Sequence, residues 1–125
     1  MLNVMKTCAI AGATALAMTT TAFAADSAAE FTMKRTTNAH VKMSVKAFKK
    51  GDYERAVRFS ETALTKGLSE SRQAIVQSNL CASYAMLNDT AQAAQACAAA
   101  LALNPELEEA KANQTALNIR LVENK

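Results

Sequence analysis

The chain has no tryptophan, one proline, one histidine and three glycines in 125 residues, and aromatics make up only 5% of it. Each shortage closes off a class of protein. With His40 alone, no metal or acid–base site can be assembled from several imidazoles. So few prolines and glycines do not suit the dense turns of sandwiches and barrels, and they leave long stretches in which a helix meets no breaker. Beyond residue 25 no uncharged apolar stretch approaches the roughly 20 residues of a membrane span. Charge is nearly balanced, with 14 Lys and Arg against 11 Asp and Glu, so the composition calls for no nucleic-acid partner. What the chain does have is apolar residues at half of all positions, many of them alanine, at helical spacing. The composition predicts an all-α domain.

The first 24 residues predict a secretory signal peptide. Lys6 supplies a short positive start, residues 8–18 are uncharged, and the small-x-small trio Ala22-Phe23-Ala24 places cleavage between Ala24 and Ala25. The stretch is too weakly apolar for a stable membrane span, and Cys8 lies ahead of it instead of at the cleavage site, against a lipid anchor. The expectation is an exported protein, periplasmic or secreted in a bacterium, with no stable membrane insertion after cleavage. Removing Lys6 leaves 13 cations against 11 acids, a net charge of +2 on about 100 residues. A domain of that size buries roughly 60–70% of its unfolded surface around one core.

Residues 25–36 carry little periodic signal and read as a linker. A first helix, capped by Thr37 or Asn38, places Val41, Ser44, Val45 and Phe48 at helical spacing and closes at Lys49-Lys50-Gly51. Asp52 caps a second helix, which stops at Gly67. After the polar stretch Ser69-Glu70-Ser71-Arg72 comes a third, carrying Ile75, Val76, Leu80 and Tyr84. Asn88-Asp89 turns the chain into an Ala-rich fourth helix over residues 90–103. Asn104 as cap and Pro105 in the first helical position predict a fifth, to about Val122. A shift of 37 residues superposes Gly51-Asp52 on Asn88-Asp89, Met43-Ser44 on Leu80-Cys81, Ala56 on Ala93 and Ala63-Leu64 on Ala100-Leu101. Repetition of that kind is how stacked helix pairs announce themselves, since each pair buries its apolar face on the next.

The third and fourth helices resemble a tetratricopeptide repeat (TPR), whose pattern runs W-x2-L-G-x2-Y, A-x3-F, P. Leu80-Cys81-x2-Tyr84, Ala93-x3-Cys97, Ala100 and Pro105 carry the likeness, with Gln77 in the Trp slot. The preceding repeat is more degenerate, with His40 in the Trp slot and Leu68 where proline would stand. The resemblance implies a short right-handed solenoid of helix pairs: repeat one about 37–70, repeat two about 71–105 and a capping helix about 105–122. It implies association with another protein or peptide, not catalysis and not a cofactor.

Mapped onto this chain, the family's inner face gives a groove of Val41, Lys42, Val45, Phe48, Lys49, Ile75, Asn79, Ala82, Met86 and Asn113. Chaperone-binding members grip a carboxylate with basic and amide residues there. Asn79 and Asn113 suit such a clamp, but Val41, Val45 and Glu109 stand where it needs Lys or Asn, so the clamp is not carried over. Cys81 and Cys97 are the two thiols that export would leave in an oxidising compartment. They face into one helix pair, either as a disulfide or as two small core residues. A turn's offset between them would exceed the roughly 7 Å limit for bridging.

Two further functions stay open. One is a thiol-redox or regulatory protein using Cys81 and Cys97, which needs an exposed thiolate. The other is a self-associating structural protein, although the polar residues of the fifth helix favour a monomer. Eight cations from Lys34 to Arg58, against Asp52 and Glu54, form either a solvated face or a contact for an anionic partner.

Overall fold

A computed structural model describes residues 30–125. The expected signal segment with its Ala24 and Ala25 site, and residues 25–29 of the expected linker, lie outside these. The described residues are all-helical, with no strand among them: α1 (Ala39–Lys49), α2 (Tyr53–Leu64), α3 (Glu70–Met86), α4 (Thr90–Leu103) and α5 (Glu108–Glu123). No helix among them is long and apolar enough to cross a membrane.

Side-chain caps set several of these boundaries. Asn38 Oδ1 accepts from the backbone N–H groups of His40 (2.8 Å) and Val41 (3.2 Å), satisfying two of the donors that open α1. Lys46 and Lys49 complement the dipole in its last turn. Gly51 then takes φ +81°, a left-handed backbone that reverses the chain, and Asp52 caps α2 through Arg55 N–H at 3.2 Å. The second hairpin repeats this turn bond for bond. Gly51 N–H donates to Phe48 O and Asp52 N–H to Ala47 O, both at 2.9 Å. Thirty-seven residues on, Asn88 N–H donates to Ala85 O (3.0 Å) and Asp89 N–H to Tyr84 O (2.9 Å). Asn88 holds φ +63°, which asparagine tolerates better than other side chains, and Asp89 caps α4 through Gln92 N–H.

The same correspondence runs through the helix crossings. In α1 and α2, Ser44 Oγ lies 2.6 Å from Ser60 Oγ and donates to Ala56 O at 2.9 Å, all fully or almost fully buried. The equivalent positions of α3 and α4 are Cys81, Ala93 and Cys97, each fully buried, and here the two sulfurs are joined in a disulfide with Cα atoms 5.1 Å apart. The cysteines therefore face each other directly, without the turn's offset. Small residues make these close crossings possible.

Helix α3 packs against all four others and is buried on most of its circumference, so it shows little amphipathic contrast. Three boundaries depart from the sequence reading. Helix α2 ends at Leu64, three residues before Gly67, where Thr65 N–H returns to Thr62 O at 3.1 Å. Helix α3 begins within the polar stretch, at Glu70, with Ser69 in the cap position but making no side-chain cap bond. Helix α5 begins at Glu108: Asn104 Oδ1 accepts from Glu106 N–H and Leu107 N–H returns to Asn104 O, so Pro105 lies in a turn, not in the helix. That turn carries Leu107 into a small cluster with Ala74, Ala100 and Ala110, and its burial there outweighs the propensity for an earlier start.

Candidate binding groove

The face formed by α1, α3 and α5 is occupied by the chain itself. Residues 31–36, expected to be a linker, instead lie along it. Thr32 N–H donates to Asn113 Oδ1 (2.8 Å) and Asn113 Nδ2–H donates back to Thr32 O (2.9 Å). Two residues on, Lys34 N–H donates to Asn79 Oδ1 (2.9 Å) and Asn79 Nδ2–H to Lys34 O (2.9 Å). Residues i and i+2 of an extended chain direct their N–H and C=O groups to the same edge, and each amide side chain offers one acceptor and a donor to match. The segment runs against the helix order, its earlier residue on α5 and its later one on α3.

Both asparagines are fully buried, and their own environment holds them in place. Asn113 Nδ2 also donates to Ser78 O (3.1 Å) and Ser78 Oγ (3.0 Å), fixing which way the amide points. Side chains of the segment fill the groove. Phe31 joins the main core at 8% exposure, with the Arg120 guanidinium 5.8 Å over its ring, and Met33 packs on the same core. Arg120 also donates to Met86 Sδ at 3.5 Å. Lys34 Nζ lies 3.0 Å from Glu109 Oε1, while Glu109 Oε2 is buried without a hydrogen-bond partner among the described residues.

Against this geometry the expected groove residues divide. Val41, Val45, Asn79, Ala82 and Asn113 are buried, and Phe48 and Met86 are half-buried against the same core as Phe31. Ile75 does not join them; it packs with Leu107 and Ala110 in the second cluster. Lys42 and Lys49 are exposed at the rim, where they line a cleft with Arg35 and Met43. The cations Lys42, Lys46, Lys49, Lys50, Arg55 and Arg58 form no ion pair with any described residue, and Arg55 stacks over Phe59 at 5.7 Å. Glu109 was expected on this face, but Phe31, Met33, Lys34 and Arg120 were not foreseen as groove residues. Their one sequence signal is the alternation of apolar Phe31 and Met33 with polar Thr32 and Lys34, the period of an extended strand.

Cys81 and Cys97 are buried and bonded to each other, so neither presents a thiolate. Outside the groove, Tyr84 OH donates to Glu61 Oε1 at 2.8 Å, and burial first, then that bond and the Glu61 charge, pushes its phenol up to about 12. No group of three His, Cys, Asp or Glu among the described residues is placed to hold a metal. On this face the amide side chains of Asn79 and Asn113 hold the backbone of residues 32 and 34 of the same chain, each as donor and acceptor. No protein-family model matches the chain, and no curated protein or solved structure matches it.

Proposed function

We propose that this chain is a non-enzymatic, exported TPR-like module that associates with another protein by holding an extended segment of it against α1, α3 and α5. The observation that carries the reading is the pair of asparagines, each exchanging two hydrogen bonds with alternate residues of an extended strand. Such recognition addresses the main chain, which every protein partner has, and leaves choice of partner to the side-chain pockets between. The recurrence of one hairpin turn after 37 residues supports a short right-handed solenoid of two repeats with α5 as its cap. The signal-like first 24 residues support a periplasmic or extracellular workplace.

A photo-cross-linking residue at Lys42, on the exposed rim, tests this in the source cell. Adducts with a second protein are expected, and they should disappear when Asn79→Ala and Asn113→Ala are added. Adducts that persist unchanged in the double variant would take the groove out of the account.

A further inference from the structure

We infer that the groove selects partner segments with the four-residue pattern aromatic, any, aliphatic, basic, arginine being preferred at the fourth position, and that residues 31–34 are a weaker copy of that ligand held in cis. The inference rests on the groove reading proposed above. The asparagine bonds ignore side chains but fix direction and register, so each residue of a bound segment meets a definite surface. The first meets the core beneath Arg120, where Phe31 sits. The second, Thr32, is bound through its main chain. The third packs on the core as Met33 does, and the fourth faces Glu109.

The fourth position shows why the chain's own segment is not the best occupant. Lys34 uses one oxygen of Glu109, and the other is buried and unpartnered. A buried acceptor left unmade is costly, and an ammonium on a single stem reaches it poorly. A guanidinium has the forked donors to engage both oxygens together. The cis segment holds its place through tethering, which supplies an effective concentration of about millimolar for a short link. Its departure leaves the start of α1 in place, because Asn38 caps that helix independently of residues 31–34. A segment with arginine at the fourth position gains from Glu109 what the tether gives Lys34.

The test uses a fluorescein-labelled peptide of residues 29–36, titrated by anisotropy into the full chain and into its Phe31→Ser variant, with helicity followed by circular dichroism. Binding to Phe31→Ser is expected to be at least tenfold tighter than to the unaltered chain. A Lys34→Arg peptide should bind at least threefold tighter still, and Glu109→Gln should abolish that gain. A peptide N-methylated at the Thr32 and Lys34 amides should bind neither protein. Should Phe31→Ser lose its helicity, Thr32→Pro takes its place, since it removes the N–H given to Asn113 and sets a ring carbon against that oxygen, while leaving Phe31 and the helices unaltered in sequence. Equal binding to the unaltered and plug-weakened chains overturns the cis competition, and absence of the arginine gain overturns the pattern; in both cases N-methyl sensitivity would leave the groove reading standing. If no peptide binds either folded protein, both readings fall together.

Discussion

Asn113→Ala is the substitution by which the occupied groove can be weighed. It removes two hydrogen bonds to Thr32 and two to Ser78, at 2.8 to 3.1 Å. At about 1 kcal/mol net for each, the loss is ~2–4 kcal/mol, the lower end applying where Thr32 regains water. The loss should also saturate. If residues 31–34 detach, Phe31 forfeits about 2 kcal/mol of burial, but the freed backbone recovers about 1–2 kcal/mol of entropy per residue. Once Asn113→Ala has released the segment, Asn79→Ala has less left to remove. The double variant should therefore lose at least about 1 kcal/mol less than the sum of the singles, the non-additivity expected of residues that share one partner. Denaturant melts give the energies, and amide hydrogen exchange at Thr32 and Lys34 gives the local readout, with protection lost at both residues in either single variant. Additive losses together with unchanged protection at Thr32 and Lys34 would refute the clamp.

Reducing the disulfide, or Cys81→Ser, should cost about 3 kcal/mol in a denaturant melt, the closure entropy of a loop of this length; a change under about 1 kcal/mol would mean the tie adds little to the crossing. Ala93→Leu should overpack the fully buried crossing of α3 and α4 and lower the melting midpoint by the equivalent of about 1–3 kcal/mol, whereas Ala94→Leu, on the exposed face, should be near neutral. Tyr84 should titrate by absorbance near 12 instead of near 10, and Glu61→Gln should bring it only part of the way down, because burial is the larger cause. Since the raised value favours the protonated phenol in the folded state, its contribution is fully present below pH 10 and is lost as pH climbs toward 12.

What was legible in the sequence was local. Asn38, Asp52 and Asp89 declare their helices because a cap bonds a backbone N–H two or three residues away, and Gly51 declares its turn because few residues accept its backbone. The inner-face asparagines could be placed because the resemblance to the repeat family implies which helix positions line its inner face. Their occupant could not, because the bonds joining Thr32 to Asn113 cross 81 residues and leave no mark near either one beyond a brief alternation. The start of α5 was misjudged where a local preference, Pro105 at a first helical turn, met a distant demand, the burial of Leu107. The cysteine pair stayed ambiguous for a related reason. Pairing depends on the phase of one helix against another, and only Ser44 and Ser60, in contact at the equivalent crossing, display that phase a second time.

The segment before α1 also works as a strap with a definite length. From Thr32, held on α5, to Asn38, at the head of α1, there are six residue steps, about 20 Å when extended. Neighbouring helix axes lie about 8–10 Å apart, so the two steps from α1 across α3 to α5 span about 16–20 Å. The strap's extended length is an upper bound, since the chain bends at Thr37, where Asn38 N–H donates to Thr36 Oγ1 at 3.1 Å, and it limits how far α1 and α5 can part. A ligand that replaces residues 31–34 in trans grips α3 and α5 with the same bonds but has no covalent link to α1. Exchange of one occupant for the other would leave the groove's hydrogen bonds as they are and remove that covalent limit between α1 and α5.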